Sequence, residues 1–164
     1  MKKTIFLVAL IISMVGHQAN AQVGVSVNIG LQPVWGPSGY DHADYYYVPD
    51  VDAYYDVPAH MWVYQDGGVW VHRAALPGRY ANFDLYHAYK AVVNVPQPWL
   101  HHDTYRSKYA SYRGRHDQAV IRDSKDPKYF VVKDHPMHAQ YHPANHPVNH
   151  PANHSEGEHR EDHR

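Results

Sequence analysis

The chain has 164 residues and no cysteine, and its 15 Lys plus Arg stand against 16 Asp plus Glu, a formal charge of −1 with histidine neutral. Without cysteine, a disulfide-stapled scaffold, a lipid-anchored lipoprotein and a thiol nucleophile are all excluded. The balance of charge also argues against a nucleic-acid binder, which relies on a basic surface to displace counterions.

The N-terminus reads MKKTIFLVALIISMVGHQANAQ. Lys2 and Lys3 form a basic start, Ile5 to Val15 an uncharged apolar run, and Ala19-Asn20-Ala21 a small-residue cleavage site, which together are the pattern of a secretory signal peptide over residues 1–21. Eleven apolar residues fall short of the ~20 that span hydrocarbon, so no membrane span is expected after cleavage. Removing the two lysines leaves 13 basic against 16 acidic residues, a formal charge of −3, in a product expected in the periplasm or cell envelope.

Residues 22–43 read as an N-terminal strand or linker, and 44–134 as a small tyrosine-rich β domain. Seven of the 15 tyrosines fall between Tyr40 and Tyr64, and tyrosine suits a pleated, half-buried surface because an apolar body carries a polar tip. Residues 45–48, before Pro49-Asp50, are expected as an edge or entering strand. Residues 53–57, 61–65 and 69–73 read as a meander joined by Pro58-Ala59-His60 and by Asp66-Gly67-Gly68. If both loops hold three residues, Val57 faces Met61 and Gln65 faces Val69. Tyr54, Trp62, Tyr64, Trp70 and His72 then share one face, with Tyr55, Val63 and Val71 on the other. That aromatic face is either a platform for polysaccharide or protein, or a layer packed under the N-terminal segment or a later helix.

Farther along, Leu76 to Tyr80 reads as a loop, Phe83 to Tyr89 as a single helical turn, and residues 91–95 as a short strand stopped by Pro96 and Pro98. Asp103 is placed to cap a short helix whose Tyr105, Tyr109 and Tyr112 recur at i, i+4 and i+7, leaving Arg106, Lys108 and Arg113 on the other side. Residues 120–127 form a charged turn, and 129–132 a last strand. The fold class expected is mainly β (α+β), a small antiparallel meander with one or two short helices.

The segments YYYVPDVDAYYDVPAHMWVYQDGGVW, LPGRYANFDLYHAYKAVVN and VIRDSKDPKYF occur in this order over roughly residues 40 to 133. In that order the chain resembles a family of short exported proteins of Gram-negative bacteria. The resemblance implies an envelope or periplasmic location and supplies no catalytic residue.

Residues 135–164 read as a disordered tail rich in His, Pro and Asn. Its histidines are His135, His138, His142, His146, His150, His154, His159 and His163, four of them in HPANHPVNHPANH. Neutral imidazole is the commonest protein ligand for zinc, nickel and copper. Pro143, Pro147 and Pro151 exclude a helix, and four residues of polyproline II advance roughly 12 Å, so neighbouring imidazoles share an ion only where the chain folds back. The function expected first is therefore a non-enzymatic exported protein whose tail binds divalent transition metal loosely and with little selectivity. The second is an envelope module using its aromatic face. No G-x-S-x-G or glycine-rich phosphate loop is present, and no enzyme is expected.

Overall fold

Alternating Tyr, Trp and Val put large apolar bodies on both sides of a pleat, and the chain covers both. In the computed structural model, which describes residues 27–142, one antiparallel sheet has the order β4-β3-β2-β1-β5. Its strands are β1 (Tyr45–Val48), β2 (Ala53–Asp56), β3 (Met61–Asp66), β4 (Val69–Arg73) and β5 (Ala91–Val93). The α-helix α1 (His102–Lys108) and several 3-10 turns accompany it. The signal peptide expected at 1–21, residues 22–26, and His146, His150, His154, His159 and His163 lie outside the described residues. No helix among the described residues is long and apolar enough to cross a membrane.

The meander forms as the alternation predicts, but both hairpin registers differ from expectation by one residue. Asp66 pairs with Val69 across a two-residue turn, Gly67 at φ +58° and Gly68 at φ +83°. Positive φ at both central positions is the type I′ pattern, whose twist matches that of the flanking strands. Between β2 and β3, Asp56 pairs with Met61 across four residues. There Asp56 Oδ1 accepts from the Ala59 amide at 2.9 Å, and His60 adopts a left-handed φ of +54°. The two slips place Tyr54, Val63 and His72 in one row, with Tyr55, Trp62 and Arg73 in the next. The five rings assigned to one face are accordingly divided: Tyr54, Trp70 and His72 lie on one side, Trp62 and Tyr64 on the other. Residues 45–48 are not an edge either, because β1 lies between β2 and β5.

The Trp62 face is covered by the chain's N-terminal part. Trp35 stacks on Trp62 at 5.8 Å and meets Tyr55 edge-on at 4.8 Å. A helical turn at 27–31 leads into it. Buried Gln32 accepts from the Tyr46 hydroxyl at 2.8 Å, and Asn28 bonds both the amide and the carbonyl of Ala43. Gly36 is required at this contact, since a Cβ there would stand 2.8 Å from the Tyr46 hydroxyl oxygen. Leu76, Tyr80, Phe83 and Leu85 complete the layer. Full burial of such a ring contributes roughly 1.5–3 kcal/mol.

The Tyr54 face is covered by Tyr89, Trp99 and helix α1, with Tyr105 and Tyr109 turned onto the sheet as their spacing predicts. Asp103 lies in the first turn of α1 rather than capping it, because the 3-10 turn Pro98–His101 runs directly into the helix. The single turn expected near Phe83 to Tyr89 is present as one bond, Ala88 N–H to the Asp84 carbonyl at 3.1 Å.

Residues 129–132 are not a strand. Asp126 accepts from the Lys128 amide at 3.1 Å and Pro127 opens a 3-10 helix, Pro127–Val131, so local capping prevails over β propensity. Tyr129 and Val132 pack with Ile29, Val34 and Ile121 in a separate small core. The Tyr129 hydroxyl accepts from the amides of Gly39 and Tyr40, at 2.6 and 3.0 Å, and donates to the Tyr40 carbonyl at 3.1 Å. The packed body also continues past Asp134: His135 is 4% exposed and His138–Gln140 forms a further 3-10 turn.

Candidate functional site: an aromatic cleft beside helix α1

The β1–β2 turn and the start of α1 converge at one end of the sheet. Asp52, at φ +54°, holds its carboxylate where the Tyr47 hydroxyl donates to Oδ1 at 2.7 Å. His102, 11% exposed, places Nδ1 3.2 Å from the Tyr54 hydroxyl and Nε2 3.4 Å from Asp52 Oδ1. With the Tyr54 O–H donating to Nδ1, the ring proton falls on Nε2 and faces the carboxylate. Arg106 Nε and Arg113 Nη2 approach the same carboxylate at 3.5 and 3.7 Å, long for hydrogen bonds.

A hydroxyl, an imidazole and a carboxylate in series is the order used for nucleophile activation. Here the environment opposes that use. Tyr54 is fully buried, and burial first, then neighbouring Tyr47, Tyr105 and Asp52, push its phenol above the usual tyrosine range. Tyr47 is raised in the same sense, chiefly by burial and then by its bond to Asp52. The series is a satisfied polar knot that fixes the helix on the sheet and sets the orientation of the His102 ring.

Around that ring lies an open cleft of about 410 Å³. Trp70 from β4 and Trp99 from the Pro98–His101 turn supply its aromatic walls, and Gln65, His101, His102, Asp103 and Thr104 its polar groups. Leu100, 66% exposed, stands at its rim. Trp70 meets His102 edge-on at 4.9 Å and His72 meets Trp99 at 5.0 Å, so both indoles are held by ring contacts rather than left loose. A second hollow of about 240 Å³ shares Gln65 and His102 with the first and is lined also by Asp52, Tyr64, Arg79 and Tyr80. The Arg79 guanidinium lies over the Tyr80 ring at 4.9 Å.

Of the five platform residues expected from the sequence, Trp70 lines the cleft, Tyr54 lies beneath it, and His72 braces Trp99. Tyr64 lines the second hollow from the opposite side, and Trp62 is buried under Trp35. Trp99, Gln65, Asp52 and Arg79 were not singled out by sequence. The signal available was Pro96-Gln97-Pro98-Trp99, an indole directly after two prolines and just before a helix, where Gln97 takes a left-handed φ of +47°.

The histidines assigned to a metal-binding tail divide as well. His135 Nε2 faces the Ser124 carbonyl at 3.1 Å, and its Nδ1 accepts from the Met137 amide at 3.0 Å, so both nitrogens are engaged. His138 Nδ1 faces the Phe130 carbonyl at 2.7 Å. His142 is exposed at the end of the described chain. Among the described residues no three His, Asp or Glu side chains are grouped to hold a metal ion. No protein-family model matches the chain, and neither a curated protein nor a solved structure does.

Proposed function

We propose that this protein is a non-enzymatic, exported binding module of the cell envelope, and that the cleft between β4 and α1 takes a saccharide. One observation carries the reading: two indoles flank an open cleft whose remaining lining, apart from Leu100 at the rim, is hydrogen-bonding side chains. Pyranose rings present apolar C–H faces that pack on indole, while their hydroxyls need several donors and acceptors at the ring edge. Gln65, His101, Asp103 and Thr104 offer both kinds. The volume lies within the range of small-ligand sites, roughly 300–1,000 Å³. Calorimetric titration of the full chain with a panel of envelope-type oligosaccharides tests this. Binding is expected, and Trp99→Ala is expected to weaken it on the order of thirtyfold, the scale of a buried aromatic anchor. A chain that binds none of the panel overturns the reading.

A second reading rests on the repeat HPANHPVNHPANH. Four imidazoles at a four-residue period, with proline between them, favour loose multi-site capture of nickel, copper or zinc over one preset site. The two readings use different parts of the chain and are compatible.

A further inference from the structure

We propose that the saccharide taken by the cleft is anionic, bearing carboxylate or phosphate groups, and that Arg79 with Arg106 and Arg113 recognises those groups. The inference rests on the saccharide reading and specifies its substrate class. Arg79 lines the second hollow, and Arg106 and Arg113 both approach the carboxylate of Asp52, which lines the same hollow. Asp52 is already engaged by the Tyr47 hydroxyl at 2.7 Å and faced by His102. Its arginine contacts at 3.5 and 3.7 Å leave most guanidinium N–H groups unspent, since each guanidinium carries five.

Arg79 adds an independent observation. It lines the second hollow, its guanidinium stacks on Tyr80, and among the described residues no carboxylate pairs with it. An arginine stacked on a ring keeps its in-plane donors free for a planar or tetrahedral anion. The arrangement therefore has an indole-walled half for a sugar ring and a guanidinium half for its acidic substituent, joined at Gln65 and His102.

The test uses the full chain and three probes on comparable scaffolds: oligogalacturonate, the same oligomer with its carboxyls methyl-esterified, and a phosphorylated oligomannose. At low ionic strength one or both anionic probes are expected to bind at least about tenfold more tightly than the neutral ester, the scale of one charge-assisted bond. Which of the two does so identifies carboxylate or phosphate as the natural group. The preference is expected to vanish in Arg79→Gln, whose exposed position leaves the fold intact as read by near-ultraviolet circular dichroism. Affinity for both anionic probes no greater than for the ester overturns the anionic assignment while leaving the saccharide reading standing. Failure of all three probes removes the saccharide reading itself. Anion binding that survives both Trp99→Ala and Gln65→Ala overturns the proposal in favour of charge attraction outside the cleft; Gln65→Ala guards against a fold defect in the tryptophan variant.

Discussion

The ring of Trp70 stands edge-on to the imidazole of His102, 4.9 Å between centroids and 73° between planes, so an edge strand and a helix share one wall of the cleft. The chain's four tryptophans thereby fall into two pairs. Trp35 and Trp62 stack at 5.8 Å inside one layer, while Trp70 and Trp99 flank the cleft in the other. Saccharide binding is therefore expected to shield Trp70 and Trp99 from acrylamide and to leave the other pair unchanged. Trp70→Phe and Trp99→Phe should each remove part of the shielded fluorescence. Shielding that persists in the double variant places the ligand elsewhere.

His102 joins Tyr54 to Asp52 across the sheet–helix boundary, and its removal leaves a fully buried phenol without its acceptor. His102→Ala is expected to cost about 2 kcal/mol in urea unfolding, within the range for an unsatisfied buried group plus lost packing. Tyr54→Phe deletes the other end of the same bond. The double variant should then be less destabilised than the sum of the singles by more than about 0.5 kcal/mol, the mark of partners in direct contact. Additive losses would show that the bond contributes nothing.

Strand positions were legible in the sequence because Tyr, Trp and Val alternate over 45–72, and a pleated strand reads that period directly. Register was not. Asp66 carries turn chemistry, yet the two glycines alone make a type I′ turn, so Asp66 stays in the strand and Trp70 and His72 part from Trp62 and Tyr64, while the four-residue β2–β3 connection separates Tyr54 from that pair too. Residues 129–132 failed for another reason: a β-prone run was placed behind Asp126-Pro127, a local cap that begins a 3-10 turn. The cleft escaped because Trp70 and Trp99 lie far apart in sequence and come to line one cleft through tertiary packing alone. The tail's start was misplaced because His135 resembles its repeat neighbours in sequence, while its two nitrogens are spoken for by Ser124 and Met137.

Lys90 is wholly buried, and its ammonium donates a hydrogen bond to the Leu85 carbonyl at 2.7 Å. Burial lowers its pKa from 10.5 to about 8, with Asp84 opposing the shift. A depressed folded pKa favours the neutral amine, so its contribution is complete above 10.5 and is lost as pH falls through about 8. The buried tyrosines act in the opposite sense. Tyr46, Tyr47 and Tyr54 are raised above 10.0, chiefly by burial, so the stability they contribute is complete below pH 10.0 and lost above it. Melting temperature is therefore expected to climb from pH 8 toward 10 and then to fall. Lys90→Met should abolish the climb, raise stability near pH 7 and keep the alkaline fall. An unchanged profile in that variant would refute the assignment to Lys90.

A metal-binding tail has to be tested by a cut that spares the packed body. Ending the chain at Asp134 would delete His135, whose bond to Ser124 lies in the interior, and His138, whose Nδ1 faces the Phe130 carbonyl. Loss of the His135 bonds alone is expected to cost on the order of 1–3 kcal/mol, so a change in metal heat on that truncation would be confounded with unfolding. A chain ending at His142 keeps these contacts and removes His146, His150, His154, His159 and His163. Its melting temperature should match that of the full chain, while its calorimetric response to nickel, copper and zinc should largely disappear. Since imidazoles bind metal only when neutral, the response of the full chain should also fade as pH drops below about 6.5. Heat retained by the shortened chain would move the metal site into the folded body.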